Sequence, residues 1–208
     1  RETGVVYVRS TGRNQRGDVV LSYVRWVMVR KRAKDAPVAP AHVPKLSERV
    51  EPSQLGAAVP ALTTAGWDAS RAGSRFRWGD YEAGERIDHV DGMTIEEAEH
   101  QVATRLYQNT AKVHFNQHTE GQGRFGRRLV YGGVVISLAR ALSFNGLGSA
   151  FHVAAINGGR HVAPAFAGDT VYAWSQVIEA AELAGRKDVG GLRLRTIATK
   201  NRAGGSFP

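Results

Sequence analysis

The run Gly132-Gly133-Val134-Val135-Ile136-Ser137-Leu138-Ala139-Arg140-Ala141-Leu142 most limits what this chain can fold into. At helical spacing its apolar side chains point to almost every side. Such a helix is buried rather than laid on a surface. It is far too short to span a membrane, which needs ~20 apolar residues. It must therefore be wrapped by other elements of a water-soluble fold, and Asn145-Gly146 is a normal stop for it. Apolar, β-branched runs at Ala150–Asn157, Arg160–Phe166, Thr170–Ile178 and Leu192–Lys200 read as strands, with turns at Gly168-Asp169 and Arg186-Lys187-Asp188. The economical arrangement is an α+β fold, a curved antiparallel sheet around one long helix.

Upstream of this helix, Trp78-Gly79-Asp80-Tyr81 reads as a turn, Glu85–His89 as a short strand and Asp91-Gly92 as a second turn. Thr94 with Glu97 at the third position forms a capping box. The helix it opens runs to about Tyr107, with Ile95, Ala98, Val102 and Leu106 on its inner face. Residues 67–208 thus form one domain, with a loose tail at Asn201–Pro208. Before it, residues 33–66 carry five of the seven prolines and read as an extended linker draped over a surface, or as disorder in parts. Residues 1–32 read as two strands around the turn Asn14–Asp18. A lone hairpin is marginal in water, so these strands need a sheet from elsewhere. The chain opens mid-pattern without Met, as a trimmed terminus or the C-terminal portion of something longer would.

Composition narrows the chemistry. No cysteine is present among 208 residues, which excludes disulfides and thiolate metal sites and fits a cytoplasmic protein. The seven histidines are dispersed, and no metal site or cofactor is expected. A formal net charge of +9 raises nucleic-acid binding, but the basic residues are scattered and lack interleaved aromatics. A small polyanion such as coenzyme A suits that field better. Gly121, Gly123 and Gly126 meet a Gly-x-Gly-x-x-Gly pattern, yet no strand precedes it and no helix opens at it.

Two motifs carry the function. One is Asn109-x4-His114-x-Asn116; the other is Phe125-Gly126 through Leu129-Val130-Tyr131-Gly132-Gly133, leading into the buried helix. With Pro164-x3-Gly168-Asp169-Thr170, they resemble the MaoC-like enoyl-CoA hydratase family, which has the hot-dog fold. More narrowly, Tyr107–His118 and Leu138–Leu147 resemble its mesaconyl-CoA hydratases, also called β-methylmalyl-CoA dehydratases. The resemblance covers roughly residues 75–200. It implies a double hot dog, with residues 1–32 as the last strands of a first repeat, an acyl-CoA substrate, and pairing with another hot-dog repeat from the N-terminal portion of the same protein or from a second subunit. The family's usual Asp stands here as Asn109, and the His of its Val-His-Gly step stands as Tyr131.

The implied chemistry is reversible addition of water to a short branched enoyl-CoA. A water must be activated at Cβ, Cα must gain a proton, and the thioester oxygen must be held as charge builds. His114 is the candidate base and the candidate source of the proton delivered to Cα, while Asn109 can only orient water or thioester by hydrogen bonds. The free N–H groups of Gly132 and Gly133 at the helix start are the oxyanion candidates. Tyr131 and Ser137 are weaker contacts, and Ser137 equally suits a bond back to the backbone. Arg160, Arg124, Arg127 and Arg128 are candidates for a substrate carboxylate or the CoA phosphates. Two competitors remain open. One is a non-catalytic half whose base lies in the missing repeat. The other is a hot-dog thioesterase, for which Glu120 is the one carboxylate between Tyr107 and the helix start.

Overall fold

The computed structural model describes residues 3–206, in two compact units, the first ending at Ser47 and the second beginning at Glu48. Arg1, Glu2, Phe207 and Pro208, the ends of the first and last predicted segments, lie outside the described residues.

The first unit is an antiparallel pair, β1 (Thr3–Arg13) and β2 (Val19–Arg30), followed by irregular chain. Its turn is built by Asn14, whose Oδ1 accepts from the N–H groups of Arg16 and Asp18 at 2.9 and 3.0 Å. Gly17 sits at φ 86°, where a side chain would be strained. Val5, Val20, Leu21, Trp26 and Met28 are all exposed.

The second unit is built on a three-stranded antiparallel sheet in the order β3 (Arg86–Thr94), β4 (Thr170–Leu183), β5 (Arg186–Lys200). A single helical turn, α1 (Pro52–Leu55), precedes it. Then come α2 (Glu97–Leu106), the short α3 (Gln117–Glu120), α4 (Gly132–Leu142) and the one-turn α5 (Phe144–Leu147). The core forms where α4 meets the sheet: Val134, Leu138, Ala139 and Leu142 pack with Ile95, Val130, Val171 and Ala173. Tyr81, Leu147 and Val177 make a second cluster. The α+β class and the antiparallel wrap around a helix are as expected.

Several local expectations fail for identifiable reasons. Thr94 does not cap α2; it pairs with Thr170 at the end of β3, and the N-cap is Glu96 without a side-chain cap bond. The inner face of α2 is polar: His100 and Thr104 are buried, whereas Val102 and Leu106 are 64% and 70% exposed. Asp91-Gly92 is not a turn but part of a bulge in β3, where Val90 takes φ 63° and its N–H donates to Asp88 Oδ1 at 2.9 Å. The segments 150–157 and 160–166 form no strand; Val153, Ile156 and Val162 are exposed, and Pro164 removes a ladder donor. Two strands, not the four read from the sequence, therefore follow α4. The last hairpin turns at Ala184-Gly185, with Gly185 at φ 74°, and β5 begins at Arg186 rather than Leu192. The α4 helix is covered on one side only, leaving Ile136 56% exposed. The tail is not loose up to Ser206: Asn201 Oδ1 accepts from Thr170 N–H at 2.7 Å, and Gly204–Ser206 forms a 3-10 turn.

Residues 48–66 lie along the β4–β5 hairpin. Arg186 donates to the carbonyls of Pro60 and Leu62, each at 3.2 Å, and Arg49 pairs with Glu179 at 2.6 Å. Arg186 also holds the Asp188 carboxyl at about 2, through a side-chain hydrogen bond.

A buried polar network stiffens the sheet behind the core. His89 Nε2 lies 2.8 Å from Ser175 Oγ, which lies 2.8 Å from Thr196 Oγ1, and His89 Nδ1 lies 2.7 Å from the Asn145 carbonyl. Burial depresses the pKa of His89 below its ordinary 6.5, and burial followed by the charge of His114 does the same for His100. A depressed pKa means that the unfolded chain binds protons more readily as pH falls through 6.5. Stability is then complete above that pH and declines below it, by up to ~1.4 kcal/mol per pH unit for each neutral histidine. Urea midpoints at about pH 7.5 and about pH 5.5 check this; His89→Gln is expected to make the decline shallower.

Candidate active site

The start of α4 gathers most of the predicted residues. Tyr131 is its N-cap in an extended conformation, with no side-chain cap. The N–H groups of Gly132 and Gly133 make no hydrogen bond to a described residue. Two side chains stand against the glycines. A Cβ on Gly132 would lie 2.5 Å from His161 Nε2, and one on Gly133 would lie 2.8 Å from the Tyr131 ring and 3.0 Å from its hydroxyl. The helix end thus presents two free donors and the positive pole of its dipole between a phenol and an imidazole.

His114 stands beside this point, its ring centroid 5.7 Å from that of Tyr131. A 3-10 turn, Lys112–His114, places it, and Leu129 N–H donates to the Val113 carbonyl at 3.0 Å. His114 Nδ1 lies 3.1 Å from the Leu129 carbonyl. A carbonyl only accepts, so Nδ1 carries a proton, and in the neutral ring Nε2 holds the lone pair. That is the tautomer a general base needs.

Asn109 is set apart. Its Oδ1 accepts from Ala111 N–H at 2.9 Å, which shapes the turn before His114, and no hydrogen bond joins it to His114 among the described residues. It lines an open groove of about 500 Å³ with Thr104, Arg105, Gln108, Thr110 and Phe115. Asn116 caps α3, accepting from Thr119 N–H at 3.1 Å. Ser137 lies one turn into α4 on the side of Gly133; it is exposed, and it makes no bond back to the backbone among the described residues.

The arginines separate by role. Arg128 pairs with Glu97 and donates to the Phe115 carbonyl at 3.3 Å, tying the loop to the start of α2. Arg127 sits over Phe166 at 3.9 Å, Arg124 sits over Phe125 at 5.1 Å, and the two phenyl rings meet edge-on at 5.5 Å. Lys200 reaches the same Phe166 ring at 5.6 Å and lies 3.4 Å from Asp169. Burial opposes the charge of Asp169, but the Phe166 N–H and the Asn201 amide donate to it and hold its pKa low. The result is a cationic, aromatic patch at the Gly168-Asp169 turn. Arg160 is exposed on the loop between α5 and β4, away from this patch in sequence.

Two histidines at the site had no signal in the sequence. His161 comes to Gly132 from an irregular loop, which no periodicity predicts. His100 lies 1% exposed beneath Tyr131, whose N–H points to His100 Nδ1 at 3.4 Å. A polar inner face on α2 could have been suspected from His100 and Thr104 at helical i, i+4 spacing. Among the described residues no group of three or more His, Cys, Asp or Glu could hold a metal, and no helix is long and apolar enough to cross a membrane.

The family description for mesaconyl-CoA hydratase matches residues 1–205. The chain belongs to the mesaconyl-CoA hydratase family. It is 59% identical over 208 residues to the β-methylmalyl-CoA dehydratase of Chloroflexus aurantiacus and 56% identical over 200 residues to the mesaconyl-CoA hydratase of Cereibacter sphaeroides. All of the chain aligns with the first and 96% with the second, but it spans only 58% and 57% of those relatives' lengths. A crystal structure of a MaoC domain protein from Chloroflexus aurantiacus superposes with a TM-score of 0.94 at 59% identity, over the whole chain and 59% of that protein. A Mycobacterium tuberculosis protein with a double hot-dog fold gives 0.60 at 27% identity, over 99% of the chain and 59% of that protein. The fold of this family member is therefore the hot dog, and the MaoC-like resemblance in its motifs stands.

Proposed function

We propose that this chain is the C-terminal part of a double hot-dog hydro-lyase that reversibly hydrates a short branched enoyl-CoA, mesaconyl-CoA to β-methylmalyl-CoA. The observation that carries the proposal is His114, whose Nδ1 is committed to the Leu129 carbonyl beside the free N–H groups of Gly132 and Gly133. Identity of 59% and 56% to relatives bearing those names supports the substrate. His114 Nε2 takes a proton from water as its oxygen bonds to Cβ. The double-bond electrons move onto the thioester, and its oxygen is held by Gly132 and Gly133. Cα then gains a proton, which completes the addition of one water. Donors of this kind are worth about 10²–10³ in rate each. Asn109 orients water or thioester from the groove. The uncovered side of α4 and the exposed β1–β2 pair each need another hot-dog repeat. No cofactor is required, and the enzyme works in the cytoplasm, in keeping with its lack of cysteine.

Incubating the full-length protein with mesaconyl-CoA tests this: the enoyl-thioester absorbance falls if the proposal holds and stays constant if it does not. A second reading, a non-catalytic half that only shapes the pocket, draws on Asn109 standing where an acid is usual. The Arg124–Arg127 patch binds an anion of the substrate. Arg127→Ala is expected to raise KM for the CoA thioester by about 10–100-fold with kcat little changed, as for loss of a charged hydrogen bond. The same variant assayed with a pantetheine thioester separates the two anions: an unchanged KM assigns Arg127 to the CoA phosphates, a raised one to the acyl carboxylate.

A further inference from the structure

Asn109 leaves the hydration chemistry short of one proton-handling group. An amide can neither release nor take up a proton near neutral pH. His114 takes a proton from the water that attacks Cβ, while Cα must gain one, and a thioester lying across the helix start has those two carbons on adjacent positions. The proton that His114 takes from water can return to Cα, but a donor of its own on the Cα side would let the two transfers proceed independently.

Three imidazoles surround Tyr131 and Gly132. His100 is buried, its Nδ1 faces the Tyr131 N–H, and it has no path to substrate. His114 lies on the Tyr131 side, with its Nε2 free. His161 lies on the Gly132 side, its Nε2, Cε1 and Cδ2 at 2.5, 2.9 and 3.1 Å from where a Gly132 Cβ would stand. The edge of that ring, nitrogen foremost, is turned to the backbone that carries the free donors. His161 is exposed and makes no hydrogen bond to a described residue. A Cβ on its neighbours Gly158 or Gly159 would meet no atom within 4 Å, so this part of the loop faces open space.

We propose that His161 is the second catalytic residue, protonating Cα during hydration and removing that proton during dehydration. This rests on the hydratase reading above. A thioester oxygen held by Gly132 and Gly133 puts the carbonyl carbon next to Gly132 and Cα one bond further on, at the edge of the His161 ring. In hydration, the C–O bond forms at Cβ as His114 accepts the water proton. The enolate electrons return to Cα, which takes the Nε2 proton of imidazolium His161. His161 leaves neutral, His114 leaves protonated, and exchange of one proton with solvent resets both. Asn109 keeps its hydrogen-bonding role and needs no proton.

The test uses the full-length protein with two measurements. The first is hydration kinetics of His161→Asn. The second is exchange of the Cα proton into D2O from the saturated thioester that lacks the hydroxyl, which isolates the Cα step from water addition. The expected result is a fall in kcat of about 10²–10⁴-fold with KM changed by less than about threefold. With it, His161→Asn loses Cα exchange while His114→Ala keeps it. A purely structural role for His161 would not divide the two variants in this way. Unchanged kcat in His161→Asn overturns the proposal, as does exchange at the wild-type rate in that variant, or a wild type that hydrates without exchanging Cα. A wild type that does not hydrate overturns the hydratase reading, and this proposal with it.

Discussion

His114→Ala in the full-length protein is expected to lower kcat for mesaconyl-CoA hydration by about 10²–10⁴-fold, the range for loss of a general base. The argument rests on the tautomer. With Nδ1 donating to the Leu129 carbonyl, 3.1 Å away, Nε2 is the basic nitrogen, and no other described group near Tyr131 combines a free ring nitrogen with that orientation on the Cβ side. His114→Gln serves as a partner variant, because its amide nitrogen can keep the Leu129 contact without acting as a base. Both variants should lose kcat together, with the thermal midpoint shifted by no more than a few degrees, since His114 lies outside both buried clusters. Steady-state kinetics beside a melting curve decide the matter. Activity surviving in His114→Ala would mean that this repeat shapes the pocket while another supplies the base.

Ile95→Ala is expected to cost about 2–5 kcal/mol of folding stability, the largest structural effect foreseen here. Ile95 is 0% exposed and sits where β3 ends, in the cluster formed with α4 and β4. Its backbone is also committed: the N–H donates to the Asp169 carbonyl at 2.9 Å, and its carbonyl accepts from Gly168 N–H at 2.8 Å. The side chain therefore cannot move to fill the space left behind, and the cavity term adds to the lost burial. Ile95→Val, which removes one methylene, should cost about 0.5–1.5 kcal/mol. Urea denaturation of the three proteins gives the comparison; equal midpoints for Ile95→Ala and wild type would show that the site collapses or is already open.

How far the sequence reaches is clear from particular elements. The apolar run of α4, the long strand at β2, the Trp78–Asp80 turn and the Gly168-Asp169 turn were legible because each is governed by local spacing and turn chemistry. The strand readings at 150–157 and 160–166 failed because β-branched composition alone does not supply a pairing partner, and Pro164 withholds a donor. Thr94 and Glu97 matched a capping box, yet Thr94 gains more by joining the ladder opposite Thr170. The inner face of α2 was read as apolar, but it carries His100 and Thr104 because the turn before α4 needs a polar group beneath Tyr131.

By itself, the sequence determined the α+β class, the helix on which the sheet packs, the absence of thiol chemistry, and the motifs that carry the hydratase resemblance. These follow from residue type at fixed spacing, which survives in any arrangement of the chain. Only the tertiary structure decided which groups meet at the start of α4. His161 comes to Gly132 across 29 residues of chain, and Arg128 is withdrawn into a pair with Glu97 while Arg127 stays on the surface of Phe166. Such meetings depend on where loops return to the core, and no local period encodes that.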